Sequence, residues 1–174
     1  AGNTASALNA RGGALVANSV ALENGSGAPS QLSAGGSLVG NTARDMGTTA
    51  DSVSGAGGLA SRESRARAAA NALVLHDGAL VDASSPWLVA GNTAREVQAP
   101  GGTALVNTLA AYRSARVQGT PVVIAGNTAQ DIRAAGSGAQ ALGIGAKSNG
   151  VLAANGLYMD GSGATALSRS TLQV

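Results

Sequence analysis

His76 is the only histidine in the chain. A Ser–His–Asp triad needs such a base beside a strained nucleophile turn, and no G-x-S-x-G segment supplies that turn. Beside Asp77-Gly78, His76 reads as a turn residue. There are no cysteines, which excludes disulfides, Cys-based zinc sites and thiol chemistry. No H-E-x-x-H, no P-loop lysine motif and no Asp-rich calcium loop occurs. Gly136-Ser137-Gly138 and Gly161-Ser162-Gly163, each followed three residues on by Ala141 or Ala166, imitate a dinucleotide fingerprint. In a chain this rich in Gly and Ala they read as turns. The nine acids stand mostly beside Arg or in turns, whereas polysaccharide chemistry wants clustered acids or bases. Trp87, Tyr112 and Tyr158 are the only aromatics and read as packing residues rather than sugar platforms. Nucleic-acid binding lacks both a dense basic patch and interleaved aromatics. The residues therefore predict no catalytic site, no cofactor and no metal.

Whatever positions these residues is built from small side chains. The 174 residues include 38 alanines and 26 glycines, and 44% of the chain counts as hydrophobic largely through alanine. Leu, Val and Ile together supply 34 residues, and there is no Phe. This excludes an ordinary domain with a bulky core. Charged residues are only 11% of the chain, which argues against simple disorder. The composition instead suits a regular architecture in which small residues pack closely. The net charge of +2 implies little about partners. No apolar run approaches the roughly 20 residues of a transmembrane helix. The start at Ala1, without a signal peptide, reads as a processed, secreted chain or a fragment.

The organisation is repetitive. The tetrapeptide G-N-T-A occurs at Gly2–Ala5, Gly40–Ala43, Gly91–Ala94 and Gly126–Ala129. Three residues after each Ala comes an apolar residue: Leu8, Met46, Val97 and Ile132. Ten residues after the motif Gly another Gly recurs at Gly12, Gly101 and Gly136. Apolar runs precede three copies: Ser37-Leu38-Val39, Trp87-Leu88-Val89 and Val122-Val123-Ile124. The unit reads as strand, G-N-T-A turn, polar link, Gly, then another strand such as Ala14-Leu15-Val16 or Ala104-Leu105-Val106. Asn24-Gly25, Asn149-Gly150, Asn155-Gly156, Asp77-Gly78 and Asp160-Gly161 favour tight turns with positive φ. Short strands recurring between turns predict an all-β solenoid over 1–174, one repeat domain with repeats starting near 2, 40, 91 and 126.

G-N-T-A followed by G-G-A, as in Gly2–Ala5 and Gly12-Gly13-Ala14, resembles the parallel β-helix repeats of bacterial autotransporter passengers and other surface adhesins. The resemblance implies Asn and small residues at coil corners and an extracellular location. Asn18–Leu22 and Ala141–Ala146 resemble trimeric-adhesin β-rolls more faintly. The stacked repeats also resemble secreted functional-amyloid subunits, from which the chain departs by having few Gln.

Stacking makes specific demands. Asn3, Asn41, Asn92 and Asn127 are expected to form an amide ladder, with Thr4, Thr42, Thr93 and Thr128 as a neighbouring column. Asp45, Glu96 and Asp131 share one repeat position, and like charges stacked directly repel. Either each repeat is two coils of about 18–19 residues, the version the repulsion favours, or the charges project from turns into screening solvent. The longer second repeat contains S-R-E-S-R-A-R-A-A-A-N-A at 61–72, expected to be a helical or loop insertion. An α/β alternative starts from Thr93–Glu96 and Thr128–Asp131, which resemble capping boxes. It makes 102–119 a helix and 121–126 a parallel strand.

The expected function is that of an extracellular structural protein: a self-assembling fibre subunit, adhesin or matrix component. Ala1-Gly2-Asn3 begins inside a repeat and Ala164–Val174 alternates like a strand, which predicts end-to-end or strand-exchange polymerisation of identical subunits. A polysaccharide-binding or polysaccharide-acting β-helix is the alternative, and a cofactor-linked α/β domain the second.

Overall fold

The computed structural model describes residues 1–11, 14–23, 30–49, 67–76, 78–99, 103–111, 115–134, 152–159 and 172–173. Within them every regular element is a strand. The first coil holds β1 (Thr4–Arg11), β2 (Ala14–Ala17), β3 (Val20–Glu23), β4 (Gln31–Leu32) and β5 (Gly36–Val39). The second holds β6 (Thr42–Thr49), β7 (Arg67–Ala70), β8 (Leu73–His76), β9 (Leu80–Asp82) and β10 (Trp87–Ala90). The third holds β11 (Thr93–Ala99), β12 (Thr103–Val106), β13 (Leu109–Ala111), β14 (Arg116–Gln118) and β15 (Val122–Ala125). The fourth holds β16 (Thr128–Gln130), β17 (Arg133–Ala134), β18 (Leu152–Ala154), β19 (Leu157–Met159) and β20 (Leu172–Gln173).

Each strand pairs in parallel with its counterpart one repeat away, so five sheets run along the stack. Their orders are β1-β6-β11-β16 with β17 also on β11, β2-β7-β12-β18, β3-β8-β13-β19, β4-β9-β14 and β5-β10-β15-β20. The fold is a β-solenoid. One G-N-T-A repeat makes one complete coil: Thr4 pairs with Thr42, Thr42 with Thr93, and Thr93 with Thr128. This corrects the two-coil reading. A repeat accommodates five short strands and the corners between them, so its 35–51 residues close a single wide turn.

Alternation selects the interior side chains. In β10 and β15 the pattern is buried, half-buried, buried, half-buried, as expected where successive side chains point to opposite faces. The interior has two main parts. Under the β1 and β2 sheets, Ala43, Ala68, Ala70, Ala94 and Ala104 pack with Met46, Val97, Val106 and Ile132. The larger aliphatics Leu73, Leu75, Val81, Val89, Leu109 and Val117 surround Trp87 under the other three sheets. Alanine thus supplies most of the buried side chains under the β1 and β2 sheets. Gly36 leaves room for the indole, because a Cβ there would lie 2.6 Å from Cη2 of Trp87.

The corners recur in register. Gly2, Gly40, Gly91 and Gly126 all have φ between 61° and 68°, a region that costs L-residues a clash between Cβ and backbone. The peptide after each motif Gly is the Asn of the ladder.

Two helical expectations are corrected. Arg67–Ala70 is β7, with Ala68, Ala69, Ala70 and Ala72 fully buried; the rest of the expected insertion, 61–66, lies outside the described residues. In the segment 102–119, β12, β13 and β14 replace the helix, and the two capping-box lookalikes lie on β11 and on β16 and the turn after it. Alanine's helix propensity is a matter of tenths of a kcal/mol per residue. Ladder bonds to coils on either side and complete burial outweigh it. His76 ends strand β8 opposite Glu23 rather than occupying a turn. Gly12, Gly101, Gly136, Asn24-Gly25, Asn149-Gly150, Asp77, Asp160, Tyr112, 141–146 and both G-S-G segments lie outside the described residues.

Candidate functional site

The residues singled out by repetition meet along the solenoid axis. Asn3 donates its backbone N–H and its Nδ2 to Oδ1 of Asn41, at 3.0 and 3.2 Å. Asn41 does the same to Asn92 at 2.9 and 3.0 Å, and Asn92 to Asn127 at 2.9 and 3.0 Å. Asn92 Nδ2 also reaches the carbonyl of Leu38 at 2.7 Å, and Asn127 Nδ2 that of Val89 at 2.8 Å. Each lower-coil carbonyl is thereby tied to a corner one coil on. Asn41 and Asn92 are buried, where an amide must find partners. The four threonines stack in register on the outer face, half-buried or exposed.

A second ladder was missed. Asn18, Asn71, Asn107 and Asn155 stand at the corner between the β2 and β3 sheets, all with φ near 50°. Nδ2 of Asn18 donates to Oδ1 of Asn71 at 3.1 Å, Asn71 to Asn107 at 2.8 Å, and Asn107 to Asn155 at 2.7 Å. The same three nitrogens reach across the coil to the carbonyls of Thr42, Thr93 and Thr128 at 3.0, 3.2 and 2.8 Å. The ladder therefore ties the β2–β3 corner to the start of each G-N-T-A strand. Its sequence signal was present but faint: an apolar run, Asn, a small residue and an apolar residue, as in A-L-V-A-N-S-V and A-L-V-N-T-L. Irregular spacings of 53, 36 and 48 residues hid the period.

The outer face of the β1 sheet gathers the charges. Arg44 pairs with Arg95 in register. Beside them Asp45, Glu96 and Asp131 are exposed, with φ of 53°, 53° and 54°. The acids therefore project from a left-handed bend into solvent, and Ala7 holds the same bend in the first coil with φ 55°. Glu96 is pushed above its usual carboxyl value of 4.5, first by a side-chain hydrogen bond with Asp45 and then by the Asp45 charge. Desolvation and Asp131 add to this, and Arg44 opposes it. An open groove of about 650 Å³ runs beside this column, its other wall formed by Asn9, Gln98 and Arg133 around Gly47.

No group of acids or His among the described residues is arranged to hold a metal ion, and no helix among them is long and apolar enough to cross a membrane. No protein-family model matches the chain, and no curated protein or solved structure is significantly similar to it.

Proposed function

We propose that this protein is an extracellular structural component without catalytic activity, a β-solenoid that self-assembles as a fibre subunit or serves as the rigid shaft of an adhesin or matrix. The observation that carries the reading is the pair of asparagine ladders. They link every coil to the next through side chains as well as backbone, which suits a shaft that bears load along its axis. The likeness of the G-N-T-A and G-G-A repeats to surface-adhesin coils supports the extracellular placement. Negative-stain microscopy and sedimentation velocity of the purified chain test the assembly. Filaments or concentration-dependent oligomers are expected; a monodisperse monomer at high concentration, without filaments, overturns it.

The groove beside Glu96 favours a second reading, a polysaccharide-binding or polysaccharide-acting solenoid. It brings a carboxyl group with a raised pKa next to a second carboxylate, amides and Arg133, groups that hydrogen-bond hydroxyls. A glycan screen by thermal shift and by reducing-end release tests it. A hit that Glu96→Gln abolishes supports this reading; no shift and no release removes it.

A further inference from the structure

The outer face of the β1 sheet carries two charged columns that the fold does not pair with each other. Arg44 and Arg95 are neighbours in register, about one strand spacing of 4.8 Å apart, and both are exposed. Ser6 and Gln130 continue their column on either side. Asp45, Glu96 and Asp131 form the adjacent column at the left-handed bend, also exposed. Asp45 and Glu96 directly follow the arginines in sequence, yet neither guanidinium forms an ion pair among the described residues. Glu96 hydrogen-bonds Asp45 instead. Like charges stacked at strand spacing repel, so each column opposes itself. The four charges of coils two and three lie on β6 and β11, the inner strands of the sheet, with β1 and β16 flanking them. The face therefore sits on the flank of the stack, away from both of its ends.

We infer that this face binds the same face of a second copy of this chain, side by side and running in the same direction, with Arg44 and Arg95 of each copy against Asp45 and Glu96 of the other. This rests on the self-assembly reading above and names the flank through which copies meet. The occupant follows from charge complementarity. Acids alone would suit any cation and arginines alone any anion, but parallel columns of both fit their own copy. A two-fold axis parallel to the stack, lying between the columns, sets each column against its opposite. It also keeps the levels matched, coil two on coil two and coil three on coil three. A two-fold axis across the stack would set arginine against arginine. Only the first arrangement relieves both columns, and it makes the contact isologous. Exposed ion pairs are individually weak, so the pairing depends on all of them together and is lost when salt screens them.

Charge reversal within one coil tests the match of levels, read by sedimentation velocity of the whole chain at low salt. All the substituted positions are exposed, and circular dichroism verifies that the variants keep the wild-type fold. Arg95→Glu should weaken association at least about tenfold, because the two-fold axis applies each change twice. Adding Glu96→Arg to it should restore wild-type association, since coil three then faces coil three with its charges exchanged. Adding Asp45→Arg to it instead restores the net charge but sets like against like at both levels, and should not restore association. The pair Arg44→Glu and Asp45→Arg repeats the rescue in coil two. Raising salt to ~1 M, where the Debye length is about 3 Å, should dissociate the wild-type pairs. Oligomers that ignore Arg95→Glu, or a rescue that follows net charge rather than level, overturn the pairing and leave self-assembly standing. A wild-type monomer at every concentration overturns both. If that monomer is retained on a heparin column through Arg44 and Arg95, the guanidiniums serve an anionic polysaccharide instead.

Discussion

Asn41 gives both its backbone N–H and its side-chain Nδ2 to a single oxygen, Oδ1 of Asn92, at 2.9 and 3.0 Å. That oxygen is fully buried with its residue, so nothing else can serve the two donors if it is removed. The relationship makes the corner of the coil, rather than a strand, the most substitution-sensitive part of the stack.

Asn92→Ala should therefore lower stability by about 2–4 kcal/mol, the order expected for orphaning buried donors. Asn3→Ala at the exposed first level should cost about 1 kcal/mol. Urea denaturation midpoints check both. Asn107→Ala should match Asn92→Ala, because the second ladder is buried in the same way.

Acidity acts through Glu96. Its folded-state pKa lies above the usual 4.5 because of Asp45, so the folded chain holds this proton more tightly than the unfolded one. The contribution is complete below 4.5 and is lost as pH rises through the folded value. We expect the melting temperature to fall from this site as pH is raised out of that window. Glu96→Gln should remove this part of the pH dependence and raise the melting temperature at pH 7. Added salt should narrow the difference between the two proteins by screening the column.

Ala7 occupies the left-handed bend that Asp45, Glu96 and Asp131 occupy in later coils. Its side chain is exposed and gains nothing from the position. Ala7→Gly should stabilise the first coil by about 1 kcal/mol, the scale of the steric penalty relieved. Thermal denaturation measures it, and hydrogen exchange at β1 should slow in parallel.

Gly36 and Trp87 face each other across neighbouring coils in the β5 sheet. Gly36→Ala forces a Cβ against the indole ring, at 2.6 Å before relaxation. Overpacking of this kind should cost about 1–3 kcal/mol. Trp87 is the only tryptophan, so its fluorescence reports the displacement directly. Gly36→Ala should cost far less in a Trp87→Leu background, where the ring is gone.

The recurrence of G-N-T-A, the short apolar runs and the turn dipeptides carried the all-β repeat architecture and the first asparagine column, because those features are local and every coil needs them at the same corner. A chain of small side chains also implied close packing, and Ala43, Ala68, Ala94 and Ala104 meet in one cluster. What lay beyond the sequence was the number of residues that close a coil, since that depends on how many bends the backbone makes before returning above itself. The fate of Ala68–Ala72 was equally hidden. Its composition favours a helix in isolation, and only neighbouring coils offering unpaired backbone groups and an apolar interior turn it into a strand. The second ladder and the Asp45–Glu96 contact have the same origin. Both join residues tens of positions apart at unequal intervals, and only the stacked tertiary structure brings those intervals into register.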